Sequence, residues 1–379
     1  MTLAPDSPEE IRARLDKVAR LVAESAADAV VLTPGADLRY LTGYDAMLSE
    51  RLTCLVVPAS GTPMLIAPTL EKSLAAASVA AGLGVEVRGW DETDNPSDMV
   101  VDLVPRPTDR PRAIAVADRM WAQHLFGIHY AAPDAKLTSA ATIMAAMRMV
   151  KSEVEVEALA RAGDAIDSVH AQMGELLKVG MAERQVAHEI AAAIRASGHA
   201  TVDFTIVGSG PNGASPHHEY ADRVISAGDV VVVDIGGTMP DGYCSDSTRT
   251  YVVGGEPTKE VSEFYDVLQS AQEAAVQFVR PGVTAEEIDA TAREIITTAG
   301  HGEHFLHRTG HGIGLEVHEH PYIVEGNDRT IEAGMAFSIE PGIYLEGRYG
   351  ARIEDIVVCT DDSVRRLNNR DHALVALPG

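Results

Sequence analysis

Residues Val230, Val231, Val232, Val233, Asp234, Ile235, Gly236 and Gly237 form a β-branched run that ends in an acid, an isoleucine and two glycines. Such a run reads as a strand buried on both faces that presents a carboxylate near its end. Met239-Pro240-Asp241-Gly242 then has hairpin chemistry. The return run from Tyr243 to Tyr251 brings Asp246 back beside Asp234. Two ionised carboxylates on adjacent buried strands repel unless a cation lies between them. The hairpin therefore constrains both the fold and the chemistry.

Three later segments supply more donors. His307-Arg308-Thr309-Gly310-His311-Gly312-Ile313-Gly314 lies in a stretch, His301 to His320, that holds six of the fourteen histidines. His307 and His311 have helical i, i+4 spacing, but Gly310, Gly312 and Gly314 predict a loop or strand whose backbone can be approached closely. Imidazole is the commonest metal-binding side chain and a proton carrier near neutral pH. Ala336-Phe337-Ser338-Ile339-Glu340-Pro341-Gly342 ends an apolar strand in an acid before a turn. Glu354 stands in the apolar run Gly350 to Val358, where an ionised group must be paired or metal-bound. Arg352, two residues away on the same face of a strand, is its salt-bridge alternative. Asp234, Asp246, His311, Glu340 and Glu354 together suit two hard divalent cations. Such a pair can hold a hydroxide and polarise a carbonyl.

These segments, in this order, resemble the pita-bread metallopeptidases, specifically the Xaa-Pro dipeptidase (prolidase) and aminopeptidase P branch. The resemblance is strong over roughly residues 150–379. Residues 15–140 more weakly resemble the amino-terminal domain that these peptidases share with creatinase. It implies an α+β chain: a small α/β creatinase-like domain, residues 1–145, then a pita-bread catalytic domain, residues 146–379, with a curved sheet and outer helices.

It further implies that Asp234 binds one metal, that His311 and Glu340 bind the other, and that Asp246 and Glu354 bridge both. His217 and His318 would contact the substrate, with His307 and Arg352 also on the substrate side. Glu340 would move a proton for the bridging hydroxide. Mn²⁺ is the expected metal, with Co²⁺ or Zn²⁺ as alternatives. Cleavage of Xaa-Pro dipeptides by a homodimer is the expected activity. The other readings are an aminopeptidase P acting on longer peptides, a creatinase-like hydrolase without metal, and a silent interaction module on the same scaffold. The Asp234 to Asp246 interval is one residue longer than is usual in the family, which places the extra residue in the Thr238–Gly242 turn.

Charge excludes some classes. Thirty-one basic against 56 acidic residues give −25, which argues against nucleic-acid backbone binding. Three unpatterned cysteines, Cys54, Cys244 and Cys359, indicate neither a disulfide framework nor a zinc knuckle. The amino terminus lacks a basic segment before an apolar core, and no run is long and apolar enough to span a membrane. A cytoplasmic enzyme is expected.

Helices are predicted over Pro8–Ala27, Leu70–Ala81, Leu137–Met149, Ala182–Ser197, Lys259–Val279 and Ala285–Ala299. A further helix is predicted from the Ser152 capping box to about Leu177. Strands are predicted over Ala29–Leu32, Thr53–Val57, Ala113–Val116, Thr201–Val207 and within Val230–Val253. Gly208-Ser209-Gly210-Pro211-Asn212-Gly213 has the spacing of a dinucleotide loop, but Pro211 and Pro216 interrupt the helix that such a loop must open. A substrate-side loop is the better reading.

Overall fold

The structure, a computed structural model, describes residues 4–379 and divides into two compact units that meet in sequence between Arg148 and Met149. The first opens with the helix Pro8–Glu24, whose N-terminus is capped by Ser7 Oγ accepting from Glu10 N at 3.3 Å. Its mixed six-stranded sheet runs Glu86–Trp90, Met64–Pro68, Cys54–Pro58, Ala29–Leu32, Ala113–Val116 and Lys136–Ser139. Alternate residues Ala29, Val31, Cys54, Val56, Ile114 and Val116 form one apolar face and pack on Val100, Val101 and Ile128 from two covering helices.

Three expected helices are cut differently. Residues 136–139 pair in parallel with Ala113–Val116, so only Ala141–Arg148 of the Leu137–Met149 segment is helical. Ser78 takes up a cap, accepting from Ala81 N at 3.2 Å, and splits the Leu70–Ala81 segment into Lys72–Ala76 and Val79–Gly82. The Ser152 capping box forms as expected, but its helix ends at His170, and Met173–Leu176 is a separate short turn of helix.

The second unit carries all the candidate site residues. One sheet orders Val375–Leu377, Cys244–Val253, Asp229–Thr238 and Thr201–Ser209. Its odd-numbered residues Val231, Val233, Ile235, Tyr251 and Val253 pack on Ile166, Val169, Val186, Ile190 and Ile194 of the helices Glu153–His170 and Glu183–Ala196. Strand alternation then turns the even-numbered residues, Asp234 and Asp246 among them, to the other face. A second sheet orders Glu319–Ile323, Gly310–Gly312, Ala336–Ile339, Asp355–Cys359 and Val364–Arg366. Gly342–Leu345 and Tyr349–Arg352 form a separate hairpin. No helix among the described residues is long and apolar enough to cross a membrane.

Candidate metal centre

The Asp229–Thr238 and Cys244–Val253 strands pair without a register shift from Asp229 opposite Val253 to Thr238 opposite Cys244. The extra residue of the hairpin is therefore absorbed in Met239–Tyr243, closed by Met239 N to Tyr243 O at 2.9 Å and Gly242 N to Met239 O at 2.8 Å. Asp234 faces Thr248 and Asp246 faces Gly236, so the two carboxylates lie diagonally on one face.

The other sheet contributes from its matching end. Ile339 is opposite Asp355, the last pair of that ladder, so Glu340 and Glu354 stand just beyond it. The two sheets are tied there by Glu354 N to Thr248 O at 3.1 Å and by Arg249 Nη1 to Glu354 O at 2.6 Å. His311 sits in the short strand Gly310–Gly312, where the glycines answer to crowding. A Cβ on Gly310 would lie 1.9 Å from Ser338 O, and one on Gly312 would lie 2.2 Å from His320 O. Ser338 Oγ both accepts from His311 N at 3.0 Å and donates to Glu340 Oε1 at 3.1 Å, fixing the two donors together.

The result is a cluster in which one ligand atom each from Asp246, His311 and Glu354 lie within 4.8 Å of one another. His311 Nε2 is 3.1 Å from Glu340 Oε1 and 3.6 Å from Asp246 Oδ2. Burial, together with the negative charges of Glu354, Asp234 and Glu340, pushes Asp246 well above the usual carboxylate range. Glu354 is raised in the same way by burial and by Glu340 and Asp234. For Glu340, burial is outweighed by the hydrogen bond and charge of His311 together with His307 and Arg352, which hold it down to about 2. Two buried oxygens, Asp234 Oδ1 and Glu354 Oε1, have no hydrogen-bond partner. Buried carboxylates in this condition fit a divalent cation, which supplies the missing partner and removes the repulsion.

The residues expected on the substrate side are placed less uniformly. The His318 ring meets the His311 ring edge-on at 4.1 Å, and burial followed by the charge of His311 lowers its pKa to about 4, so it is neutral at pH 7. His307 lies half-buried with Nε2 2.8 Å from Tyr344 Oη and Nδ1 2.7 Å from Arg308 O. His217 is exposed on the segment that follows the Gly210–Ala214 turn. That turn is a single 3-10 turn opening no helix, and Gly213 packs there against Gly350.

Arg352 is not where strand alternation put it. The Tyr349–Arg352 strand belongs to the separate hairpin, and the chain leaves it before Glu354, so the two residues share no strand face. Its guanidinium pairs instead with Asp234, and it also donates to Tyr344 Oη at 2.7 Å, to Thr248 Oγ1 at 3.1 Å and to Pro216 O at 3.3 Å. With its donors committed inside the protein, Arg352 acts on the Asp234 side of the site rather than as a partner of Glu354.

Sequence reading missed four residues. Tyr344 links His307 to Arg352, Thr248 donates to Glu354 Oε2 at 2.7 Å, and Ser338 acts as described. Glu183, fully buried, accepts from Ser209 N and Oγ, from Asn212, from Ala221 N and from His218 Nε2, gathering the segment that carries His217. Thr248 and Ser338 were within reach, since each lies two residues from a candidate ligand, Thr248 on the same strand face as Asp246. Glu183 left no signal, because an acid in a first helical turn is ordinarily explained by the helix dipole.

Residues 157–361 match Metallopeptidase family M24, and residues 14–150 match the Creatinase/Prolidase N-terminal domain. The chain is 50% identical over 365 residues to a probable dipeptidase PepE of Mycobacterium tuberculosis, with 96% of each covered. It is 36% identical over 368 residues to an Xaa-Pro dipeptidase of Lactobacillus delbrueckii subsp. lactis, covering 96% of this chain and 99% of that one. The crystal structure of dipeptidase PepE from Mycobacterium ulcerans matches with a TM-score of 0.93 at 51% identity, over 98% of this chain and 99% of that one. With its catalytic segment, its first domain and nearly its whole length matched in this way, the chain belongs to metallopeptidase family M24 and is a pita-bread metallopeptidase with a creatinase-type N-terminal domain.

Proposed function

We propose that this metallopeptidase is a dipeptidase that uses two divalent cations to hydrolyse the bond before proline in Xaa-Pro dipeptides. The observation that carries the reading is the convergence of four carboxylates and one imidazole around two buried, unpartnered oxygens, Asp234 Oδ1 and Glu354 Oε1. Asp234, Asp246, His311, Glu340 and Glu354 would hold the ions, and their four negative charges balance two +2 charges. Bound there, the ions would supply Lewis acidity and an activated water. Oxygen-rich ligation with one imidazole favours Mn²⁺.

The remaining chemistry falls to the protein's own side chains. Glu340, ionised and oriented by Ser338 Oγ, is placed to take a proton from water and return it to the departing nitrogen. His318, neutral beside His311, can donate a hydrogen bond to the oxygen of the scissile carbonyl as charge develops on it. His217 and His307 supply further imidazoles on the substrate side, His307 oriented by Tyr344. A tertiary proline amide has no N–H, so the site need satisfy none. The short Glu340 to Glu354 interval and the likeness to an Xaa-Pro dipeptidase support the dipeptide substrate. The reading extends to a homodimer in the cytoplasm, where three buried free thiols would stay reduced.

Chelated protein should lose activity on Xaa-Pro dipeptides and regain it as Mn²⁺ is titrated to two equivalents. Full turnover without metal would remove the metal chemistry. Faster cleavage of Xaa-Pro-Yaa than of Xaa-Pro would transfer the assignment to an aminopeptidase acting on longer peptides.

A further inference from the structure

His217 stands in the irregular segment that follows the strand Thr201–Ser209, and its own imidazole is exposed and makes no hydrogen bond among the described residues. Burial first, and among weaker influences the charge of His217, lower the pKa of His307 and of His318, so the ring lies within electrostatic reach of both. Side chains on such segments are ordinarily mobile, whereas a group that contacts substrate has to be held within about 0.5 Å of its working position. The place of the ring is therefore set by the backbone on either side of it.

Both neighbours are anchored. Pro216 O accepts from Arg352 Nη1 at 3.3 Å, and Arg352 is in turn paired with Asp234. On the other side the His218 ring donates from Nε2 to Glu183 Oε2 at 2.9 Å. The same carboxylate closes the whole segment. Its Oε1 accepts from Ser209 N at 2.8 Å and Ser209 Oγ at 2.6 Å, its Oε2 accepts from Ala221 N at 2.9 Å, and Asn212 Nδ2 donates to both oxygens at 3.1 and 3.0 Å. Glu183 is fully buried and opens the helix Glu183–Ala196, whose Val186, Ile190 and Ile194 share the core of the strand that carries Asp234. Burial opposes its ionisation, but hydrogen bonds from Ser209, His218 and Asn212 outweigh that and hold its pKa below the ordinary value.

We propose that Glu183 is a positioning residue for the reaction: by closing residues 209–221 on one buried carboxylate, it sets His217 on the substrate side before substrate arrives. The inference rests on the reading of His217 as a substrate contact, and Glu183 acts through that residue alone. An ionised carboxylate suits this use because it only accepts, on two oxygens, and so takes donors from both ends of a loop at once. Bonds of this charge-assisted kind are short and strong. A glutamine is a poor replacement, since its amide nitrogen would turn N–H toward Ser209 N or Ala221 N, a donor against a donor.

The test is a double-mutant cycle on Ala-Pro hydrolysis by Mn²⁺-loaded protein, with Glu183→Gln, His217→Ala and the two combined. Every variant should keep the wild-type metal stoichiometry. Glu183→Gln should lose about 10- to 100-fold in kcat, the scale of an ångström's misplacement, with little change in KM. The double variant should be no slower than His217→Ala, because the group that Glu183 positions has already gone. Hydrogen exchange on the same proteins gives a second readout. In Glu183→Gln the amides of Ser209 and Ala221 should lose protection, while those of Val231, Val233 and Ile235 keep theirs.

Losses that multiply in the double variant would overturn the inference, leaving Glu183 with a stabilising role only, as would a wild-type kcat in Glu183→Gln when His217→Ala is impaired. If His217→Ala turns over like wild type, the reading of His217 fails and the inference with it, a result visible without any change at Glu183. Should Glu183→Gln not fold, Asn212→Ala removes the donor shared by both oxygens from a half-buried position. It should show a smaller loss in kcat that disappears in the His217→Ala background, and a loss that persists there would overturn the assignment equally.

Discussion

Glu354 and Asp355 are adjacent, both buried, and in opposite electrostatic conditions. Glu354 faces the candidate metal centre, where Thr248 is the donor to one of its oxygens and the other has none, and burial and neighbouring acids raise its pKa. Asp355 accepts from Arg249, Arg366, His372 and Gln272 at 2.6–3.2 Å. Burial works against its ionisation, but Arg249, His372 and Arg366 outweigh that and hold it well below the usual carboxylate range. One side of the strand keeps its acids underpaired for a ligand, while the other saturates its acid to hold the sheet. Glu183 belongs with Asp355 in this respect, with donors gathered around both its oxygens.

The contrast breaks most visibly at the centre itself. Asp246→Asn and Glu354→Gln should abolish metal binding and reduce turnover by at least about a thousandfold, while the metal-free protein melts no lower, since a repelling charge has gone. His318→Ala should keep both metals and lose about 100- to 10,000-fold in kcat. Metal analysis separates the two classes, and metal loss in His318→Ala as complete as in Asp246→Asn would undo the division.

On the saturated face the effect falls on stability. Asp355→Asn leaves Arg249 and Arg366 without their buried counter-charge and should cost about 3–5 kcal/mol in denaturant unfolding. A metal-loaded protein that unfolds at the same denaturant concentration as wild type would show that Asp355 is dispensable.

The smallest effect is a pH dependence at His170, which is buried on the helix side of the Cys244–Val253 strand with its ring on Tyr251 Oη and Ser247 O at 2.9 and 3.1 Å. Burial, then Arg249, lowers its pKa to about 3, against an ordinary value near 6.5. Between those values the unfolded chain binds the proton and the folded one does not. The contribution is therefore complete above about pH 6.5 and declines as pH falls, by about 3 kcal/mol at pH 4. His170→Gln should flatten the pH dependence of unfolding in that window, and an unchanged slope would refute the assignment.

Much of this was legible in the chain. The valine run, the Pro-Asp-Gly turn and the return strand specified a hairpin with both aspartates on one face, and the uninterrupted register follows from that period of two. The Ser152 box and the Pro8 helix start were local signals and formed locally. The Lys136–Ser139 strand was not legible, because its apolar pattern fits a helix equally well and only the neighbouring Ala113–Val116 edge decides for strand.

The identity and order of the five candidate ligands, and the alternation that places Asp234 and Asp246 on one face, were legible in sequence alone, because each depends on residues within a few positions. Which acids stay unpartnered was decided only by tertiary structure. The Thr248 to Glu354 bond spans 106 residues and the Arg352 to Asp234 pair spans 118. A charge is satisfied or left free by whatever lies within about 4 Å of it, and that neighbourhood is set by chain segments brought together from far apart.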